Sequence, residues 1–194
     1  MCLSLAVDHD AFDRFLIAPD VADYVARSWE TDETTIYGRF DLWFDGQGPP
    51  RLLEYNADTP TALLEASVIQ WHWFKDVFGE DPRIDQFNSV HERLIEAWKS
   101  IRDEHGGNLY FTSKAAHLEE YMTVNYLRDT AIQAGFDTEH IGIEEIGWDA
   151  QSKQFVDLEN LPMWTVFKLY PWEWMVTDDF GKQALLNQTR WFEP

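Results

Sequence analysis

The sequence predicts an α/β fold in which a β-hairpin and helices precede a strand–helix–strand unit with parallel strands. Apolar and polar side chains alternate in two short segments within residues 37–56, on either side of the turn-forming sequence Gly46-Gln47-Gly48-Pro49. Residues 109–143 have the pattern of a strand, a helix and a strand, which is typical of a right-handed parallel unit. The apolar run at residues 164–169 favours a further buried strand.

The segment before the hairpin is predicted to be helical. Residues 10–29 fit one helix or two, with a break near Pro19 and with Asp20 as the candidate cap of the second helix. Apolar side chains recur there at helical spacing. The predicted buried stripe consists of Val21, Tyr24, Val25 and Trp29.

Two helices are predicted after the hairpin, over residues 60–78 and 86–104. For the first of them, Thr59 fits the N-cap, Pro60 fits the first helical position and Gly79 fits the end. The apolar stripe of the second helix consists of Phe87, Val90, Leu94, Trp98 and Ile101.

The pattern changes at Gly106-Gly107, which are predicted to end the second helix. A strand follows at Leu109–Thr112, then a helix over about 118–134 that ends at Gly135, and then a strand around residues 141–143. We therefore predict three parts of the chain: residues 1–104 with the helices and the hairpin, residues 105–170 with the parallel unit, and residues 171–194, which are rich in tryptophan and partly helical.

The composition argues against some classes of function. The 194 residues are 45% hydrophobic, which is enough for a sizeable core. Thirty-five Asp and Glu against 15 Lys and Arg give a net charge of −20. Such a charge disfavours non-specific binding to nucleic acid and favours solubility or the steering of a cationic small substrate. A single cysteine allows no internal disulfide and fits a reducing cytoplasm. No apolar run approaches the roughly 18 residues of a membrane span.

The predicted hairpin collects polar side chains on one face. Symmetric pairing about the turn gives the pairs Arg39–Asn56, Phe40–Tyr55, Asp41–Glu54 and Leu42–Leu53. Two acids directly opposite each other destabilise a sheet, so a cation is expected near Asp41 and Glu54. Arg39 is one candidate. Mg²⁺ is another, because two carboxylates and an amide oxygen are ligands that suit this ion. A solvated hairpin face without a ligand stays open as the alternative.

Three other segments have a functional interpretation and an ordinary one. Asp58 and Thr59 lie at a predicted helix N-terminus, which can hold a carboxylate or phosphate but is more commonly a simple cap. Glu119 and Glu120 begin a predicted helix, where acids are expected anyway, and they could also recognise an ammonium group. Residues 172–174, Trp-Glu-Trp, could bind a cation or simply pack in the core.

Five short motifs stand out along the chain. They are Tyr-Gly-Arg-Phe-Asp (37–41), Leu-Glu-Tyr-Asn-Ala-Asp-Thr-Pro-Thr (53–61), Leu-Leu-Glu-Ala (63–66), Gln-Trp (70–71) and Lys-Leu-Tyr-Pro-Trp-Glu-Trp (168–174). Together these motifs resemble the glutathionylspermidine synthase family, and more closely its shorter members without an amidase domain. The resemblance covers essentially the whole chain.

The resemblance implies an ATP-grasp carboxylate–amine ligase. In the family reaction, ATP activates the glycine carboxylate of glutathione as an acyl phosphate, which an amine of spermidine then attacks. The resemblance implies these roles: Asp41, Glu54 and Asn56 as Mg²⁺ ligands, Arg39 as the catalytic arginine that holds the reacting carboxylate and, with Asp41, contacts ATP, Thr59 beside glutathione, and Glu119 and Glu120 as substrate-binding acids on the polyamine side.

The resemblance also implies what lies outside this sequence. In the family, the chain continues beyond the Trp-Phe-Glu-Pro of residues 191–194 with the lysines that grip ATP, and several dozen residues precede the position of Met1. We therefore expect an internal fragment that is inactive by itself. A non-catalytic binding or interaction module, or a ligase with another acid and amine, are the alternatives.

Overall fold

The strands form a parallel sheet and two antiparallel hairpins. The computed structural model describes residues 2–79, 81, 83–105, 108–186 and 188–193. The strands in these residues are β1 Arg39–Trp43, β2 Arg51–Asn56, β3 Asn108–Ser113, β4 Asp137–Gly142, β5 Gly147–Asp149, β6 Gln154–Val156, β7 Thr165–Leu169 and β8 Arg190–Phe192. The parallel sheet has the order β4-β3-β7-β8, while β1 pairs with β2 and β5 with β6. The predicted α/β class and its parallel unit are confirmed.

Helices precede and separate these strands along the chain. Their bounds are α1 Cys2–Asp8, α2 Pro19–Glu30, α3 Gln70–Phe78, α4 Val90–His105, α5 Leu118–Gln133 and α6 Trp172–Met175. A π-helical segment, Glu65–Ile69, leads into α3. Within the described ranges, no helix is long and apolar enough to cross a membrane. The predicted helix end at Gly106-Gly107 lies outside the described residues.

The core is centred on Trp98 of α4. The centroid of its ring lies 5.6 Å from that of Phe111, 6.3 Å from that of Phe167 and 6.0 Å from that of Phe192. Its indole N–H donates a 3.0 Å hydrogen bond to the hydroxyl of Thr130 in α5. One cluster of buried residues therefore includes side chains from all three predicted parts of the chain. The division into three parts stays a prediction.

The predicted hairpin register is confirmed at three pairs and wrong at the fourth. Arg39 pairs with Asn56 and Asp41 with Glu54, as expected. Leu42 pairs with Leu52 rather than with Leu53, because the register shifts after Asp41. In such a bulge two residues of one strand oppose one residue of the other. The polar pairs lie before the shift and keep their predicted positions.

The predicted start of the helix at residue 60 is wrong. Helical structure begins at Leu63, because Ala62 has a φ of 63°, in the left-handed region that a helix does not pass through. Thr59 is therefore not a helix cap and Pro60 does not open a helix. The predicted end is confirmed, since Gly79 follows α3 with a positive φ of 63°.

Three further predictions about helices need correction. Asp20 is not a cap, because α2 starts at Pro19 without a side-chain cap, and the Asp20 carboxylate instead pairs with Lys182 at 2.6 Å. Trp29 is exposed, and α2 has no fully buried side chain in place of the predicted stripe. Phe87 precedes α4 and is almost fully exposed, because the helix starts three residues later.

Candidate functional site

The polar face of the β1–β2 hairpin brings together the residues predicted to bind a metal. Arg39 holds Asp41 with two donors: Nε lies 2.8 Å from Oδ1, and Nη2 lies 3.1 Å from Oδ2. The same Nη2 lies 3.8 Å from Oε1 of Glu54, which faces Asp41 across the two strands. Arg39 therefore places one positive charge beside the two opposed acids in this structure.

The ion pair between Arg39 and Asp41 changes the titration of both groups. Hydrogen bonding from Arg39 lowers the pKa of Asp41, and the same bonds raise the pKa of Arg39. The two side chains are 33% and 40% exposed, so water screens the attraction. The pair orients the guanidinium more than it stabilises the fold.

Asn56 is already engaged in local hydrogen bonds. Its Oδ1 accepts the backbone N–H of Thr59 at 3.1 Å, and its Nδ2 donates to the Thr59 carbonyl at 3.4 Å. Because an amide oxygen has two lone pairs, Oδ1 can still serve a cation. Asp41, Glu54 and Asn56 thus fit Mg²⁺ as a set of oxygen donors, with Arg39 competing for the carboxylates. In the described part of the chain, no group of three or more His, Cys, Asp or Glu side chains is placed to hold a metal ion, and the hairpin set has two carboxylates and one amide.

The segment after the hairpin lies against Arg39 and includes Thr59. Nη1 of Arg39 donates to the Thr61 hydroxyl at 3.3 Å, and the Tyr37 hydroxyl donates to the Pro60 carbonyl at 2.5 Å. Thr59 itself is partly buried in this segment. Sequence reasoning missed the contact of Thr61 with Arg39, although Thr61 belongs to a motif that was recognised.

A buried lysine holds the chain that leaves the hairpin. Lys168 of β7 is fully buried, and its Nζ lies 2.5 Å from Oδ1 of Asp58 and 4.7 Å from the centroid of the Trp172 ring. Oδ2 of Asp58 accepts the backbone N–H of Trp172 at 3.0 Å. Burial lowers the pKa of Lys168, and the attraction of Asp58 opposes that change. Residues just after β2 are thereby fixed to the carboxyl end of the parallel sheet.

A buried glutamate holds the chain that enters the hairpin. The Glu193 carboxylate accepts the backbone N–H groups of Ile36 at 3.0 Å and Tyr37 at 3.1 Å. The Trp172 indole N–H donates to the Glu193 backbone carbonyl at 3.0 Å. Both ends of the hairpin are therefore held from the sheet. We name the four residues that do so the hairpin clamp: Asp58, Lys168, Trp172 and Glu193.

Sequence reasoning did not find the hairpin clamp. The available signal was Lys168 within the apolar run at residues 164–169, because a lysine is rarely buried unless it is paired. Glu193 gave no comparable signal in the sequence.

Glu119 and Glu120 lie at the start of α5, as predicted. Glu119 is exposed, and Oε1 of Glu120 lies 3.1 Å from Nδ1 of His117. Among the contacts of the described residues, none joins either acid to the hairpin. Their role in binding a substrate stays a prediction.

A cavity of about 570 Å³ opens at the carboxyl end of the parallel sheet. Lys114, Glu144 and Tyr170, which follow β3, β4 and β7, all line it. The Tyr170 hydroxyl donates to Asp178 at 3.0 Å. Ligands of α/β proteins usually bind at this end of the strands. The cavity therefore lies at the same end of the sheet as the hairpin clamp.

The aromatic rings of residues 172–174 contact lysines of the protein itself. Lys168 Nζ lies over the Trp172 ring, and Lys114 Nζ lies 5.4 Å from the centroid of the Trp174 ring. The π-contacts that an external cation could have made here are made by lysines of the chain.

The comparison with protein families decides where this chain belongs. The family model described as glutathionylspermidine synthase preATP-grasp matches residues 1–194. The chain belongs to this family. The resemblance found in its motifs is confirmed.

Relatives in the glutathionylspermidine synthase family are longer proteins. The chain is 37% identical, over its whole length, to a putative acid–amine ligase of Haemophilus influenzae and covers 50% of that protein. It is 30% identical, over 71% of its length, to the bifunctional glutathionylspermidine synthetase/amidase of Escherichia coli and covers 22% of it. It is 26% identical to the trypanothione synthetase of Crithidia fasciculata over 91% of its length and covers 27% of it. The chain thus spans half or less of each relative.

The stability of this member of the glutathionylspermidine synthase family should depend on pH through Glu193. Burial raises the pKa of Glu193 from 4.5 to about 7, and the backbone donors of Ile36 and Tyr37 oppose the rise. As pH rises, Glu193 in the folded state thus keeps its proton up to a higher pH than in the unfolded state. Stability from this group is fully present below about pH 4.5 and is lost as pH rises through about 7, by about 3 kcal/mol.

Glu193→Gln isolates this effect, because glutamine keeps an acceptor oxygen and does not titrate. We expect the midpoint temperature of Glu193→Gln, relative to wild type, to increase between pH 5 and pH 8. Glu96→Gln, at an exposed position paired with Arg93, is the control. Its difference in midpoint temperature from wild type should not change with pH. Parallel pH profiles for wild type and Glu193→Gln would contradict the assignment.

Proposed function

We propose that this chain is the substrate- and metal-holding part of an ATP- and Mg²⁺-dependent ligase that joins a peptide carboxylate to an amine. Membership in the glutathionylspermidine synthase family and the names of the relatives support the ligase class. The observation that carries the proposal is the hairpin, where Arg39 lies between two opposed carboxylates, Asp41 and Glu54. We place the reaction in the cytoplasm, in keeping with the single cysteine.

The proposed reaction has two steps. An oxygen of the peptide carboxylate attacks the γ-phosphorus of ATP, and ADP leaves. The amine nitrogen, having lost a proton, then attacks the carbonyl carbon of the acyl phosphate, and phosphate leaves as the amide forms. Glutathione and spermidine are the acid and the amine that we favour, because they occur in the name of the family.

Arg39 supplies positive charge where negative charge develops on the carboxylate and phosphate oxygens. Asp41 holds the guanidinium with two hydrogen bonds and Thr61 with a third, so its orientation is set before substrates bind. Asp41, Glu54 and Asn56 would hold Mg²⁺, which when bound offsets the charge of the phosphate groups. We assign Thr59 to binding of the peptide, and Glu119 and Glu120 to binding of the amine.

The exposed apolar surface of the hairpin supports a larger active protein. Phe40 is 59% and Leu53 is 68% exposed, although both belong to a two-stranded ribbon. Such a ribbon is marginally stable alone in water, and an exposed apolar patch commonly marks an interface. We propose that the remaining half of a ligase, of the length found in the Haemophilus influenzae relative, covers this surface and supplies most of the ATP site.

A chimera tests the proposed function. This chain replaces the matched half of the Haemophilus influenzae protein, and ADP release from ATP is measured with glutathione and spermidine present. We expect turnover by the chimera that needs both substrates, and none by the 194-residue chain alone.

Two controls accompany the chimera. Glu96→Gln should leave turnover unchanged, and Glu54→Gln should remove it. Calorimetry of the 194-residue chain with each substrate tests binding without the chimera. Turnover by the isolated chain would show that no second half is needed. Heat with a substrate but no turnover in any folded chimera would favour the non-catalytic binding module.

A further inference from the structure

A second pocket, of about 330 Å³, lies beside the start of β8. It is formed between α2 and the start of β8, where Arg190 pairs with Thr165, the first residue of β7. Lys168 of the clamp lies near the other end of that strand. No residue of the hairpin lines the pocket, although the ring centroids of Tyr24 and Trp191 lie 5.3 Å and 6.5 Å from that of Trp172 in the hairpin clamp. The lining residues that matter are Tyr24, Arg27, Glu33, Leu185, Arg190 and Trp191.

Two residues that line this pocket have a buried hydrogen-bond donor without an acceptor among the described residues. Nη1 of Arg190 is buried and has no hydrogen-bond partner within the described ranges. Trp191, which also lines the 570 Å³ cavity, is only 2% exposed, and its indole N–H likewise has no partner among those residues. Arg27 donates through Nη2 to the Leu185 carbonyl at 3.2 Å, and its guanidinium carbon lies 5.1 Å from the centroid of the Tyr24 ring. Because buried donors in proteins are ordinarily hydrogen-bonded, these two donors are available to an acceptor on a ligand.

Neither arginine in the pocket has a carboxylate partner among the described residues. The carboxylate that lines the pocket, Glu33, accepts the Ser28 hydroxyl at 3.1 Å instead. Two arginines against one glutamate leave an excess of positive charge in a protein whose net charge is −20. Arg27 is exposed and Arg190 is half-buried, with its Nη1 atom buried, so an anion that reaches this nitrogen would pair with a donor that is shielded from water.

We propose that this pocket binds a small molecule through a carboxylate or phosphate group. The planar guanidinium matches both oxyanions, with two parallel hydrogen bonds in the best case. Leu185 and the ring of Tyr24 add apolar surface beside the two arginines, which suits a ligand with an apolar body next to its anionic group. The site does not depend on the proposed ligase reaction, because it shares no residue with the hairpin.

Calorimetry with two probes tests this site and separates the two oxyanions. Inorganic phosphate and benzoate are each titrated into the 194-residue chain at low ionic strength. We expect at least one of them to bind, and Arg190→Gln to weaken that binding at least about tenfold, as loss of a charge-assisted hydrogen bond does. Arg190→Lys keeps the charge but loses the guanidinium geometry, so its affinity for the probe should lie between those of wild type and Arg190→Gln. Arg93→Gln, an exposed arginine paired with Glu96, is the matched control.

The two probes distinguish between two kinds of ligand. Phosphate alone indicates a phosphorylated ligand, and benzoate alone indicates a carboxylate with an apolar body. The indole N–H resonance of Trp191, assigned with Trp191→Phe, should shift with the probe that binds. The proposal is overturned if neither probe binds, if Arg190→Gln binds as wild type does, or if the Trp191 resonance stays in place.

Discussion

Asp58→Asn is expected to lower the free energy of unfolding by about 3–5 kcal/mol, the range found when one partner of a buried ion pair is removed. The reason is that Lys168 is fully buried, and its Nζ lies 2.5 Å from the Asp58 carboxylate. Without that carboxylate, a lysine charge stays in the core, where Glu193, Glu173 and the Trp172 ring attract it without the direct ion pair. Urea denaturation of wild type and variant measures the difference.

Replacing the other partner of the ion pair, by Lys168→Met, should lower the free energy of unfolding less than Asp58→Asn does. The Asp58 side chain is 32% exposed, so the carboxylate that remains can still be hydrated. Methionine also fills much of the space of the lysine stem without a charge to bury. The double variant should therefore be close to Lys168→Met and more stable than Asp58→Asn.

An exposed ion pair serves as the control for this ordering. Asp103 lies 3.5 Å from Arg102 and its side chain is 75% exposed, so Asp103→Asn should change stability by less than about 0.5 kcal/mol. An Asp58→Asn variant as stable as the Asp103→Asn control would show that the hairpin clamp does not stabilise the fold.

The parts of this site that the sequence predicted are those set by local patterns. Alternation along residues 39–56 gave the polar pairs of the hairpin, because side chains in a strand alternate between faces. No pattern in the sequence indicates the bulge after Asp41, so the predicted partner of Leu42 was wrong. The predicted helix start at residue 60 was also wrong, and the reason lies in the turn that precedes the helix. A Thr-Pro pair predicts a helix N-terminus, but the turn around Asn56 and the left-handed Ala62 hold the chain in another conformation.

The hairpin clamp could not be read from the sequence, because its contacts join distant residues. Asp58 and Lys168 are 110 positions apart, and Glu193 lies 157 positions from Ile36. Nothing in one sequence indicates which buried lysine meets which carboxylate across such a distance. Those contacts are nevertheless what places the predicted hairpin at the carboxyl end of the sheet. The local pattern thus determined the arrangement of the polar face, and long-range packing determined its location.

Asp41→Asn and Glu54→Gln are each expected to weaken metal binding by this chain at least about tenfold, the lower end of the loss seen when even an outer-shell partner of a metal site is removed. The two carboxylates face each other, and each variant removes one anionic ligand. Mn²⁺ is a suitable probe, because its binding can be followed by electron paramagnetic resonance. Glu54→Gln should also leave the metal-free fold equally stable or slightly more stable, since it removes one of two opposed negative charges.

Arg39 distinguishes a metal site from a merely solvated hairpin face. In this structure its guanidinium occupies both oxygens of Asp41 and approaches Glu54, so it competes with a cation for the same ligands. Arg39→Gln should therefore tighten Mn²⁺ binding while lowering turnover in the chimera, where its positive charge is needed by the reacting groups. Glu96→Gln should change neither quantity. On a solvated face, none of these variants would alter Mn²⁺ binding. Tighter binding in Arg39→Gln together with weaker binding in Glu54→Gln arises only if the ion and the guanidinium share the same carboxylates.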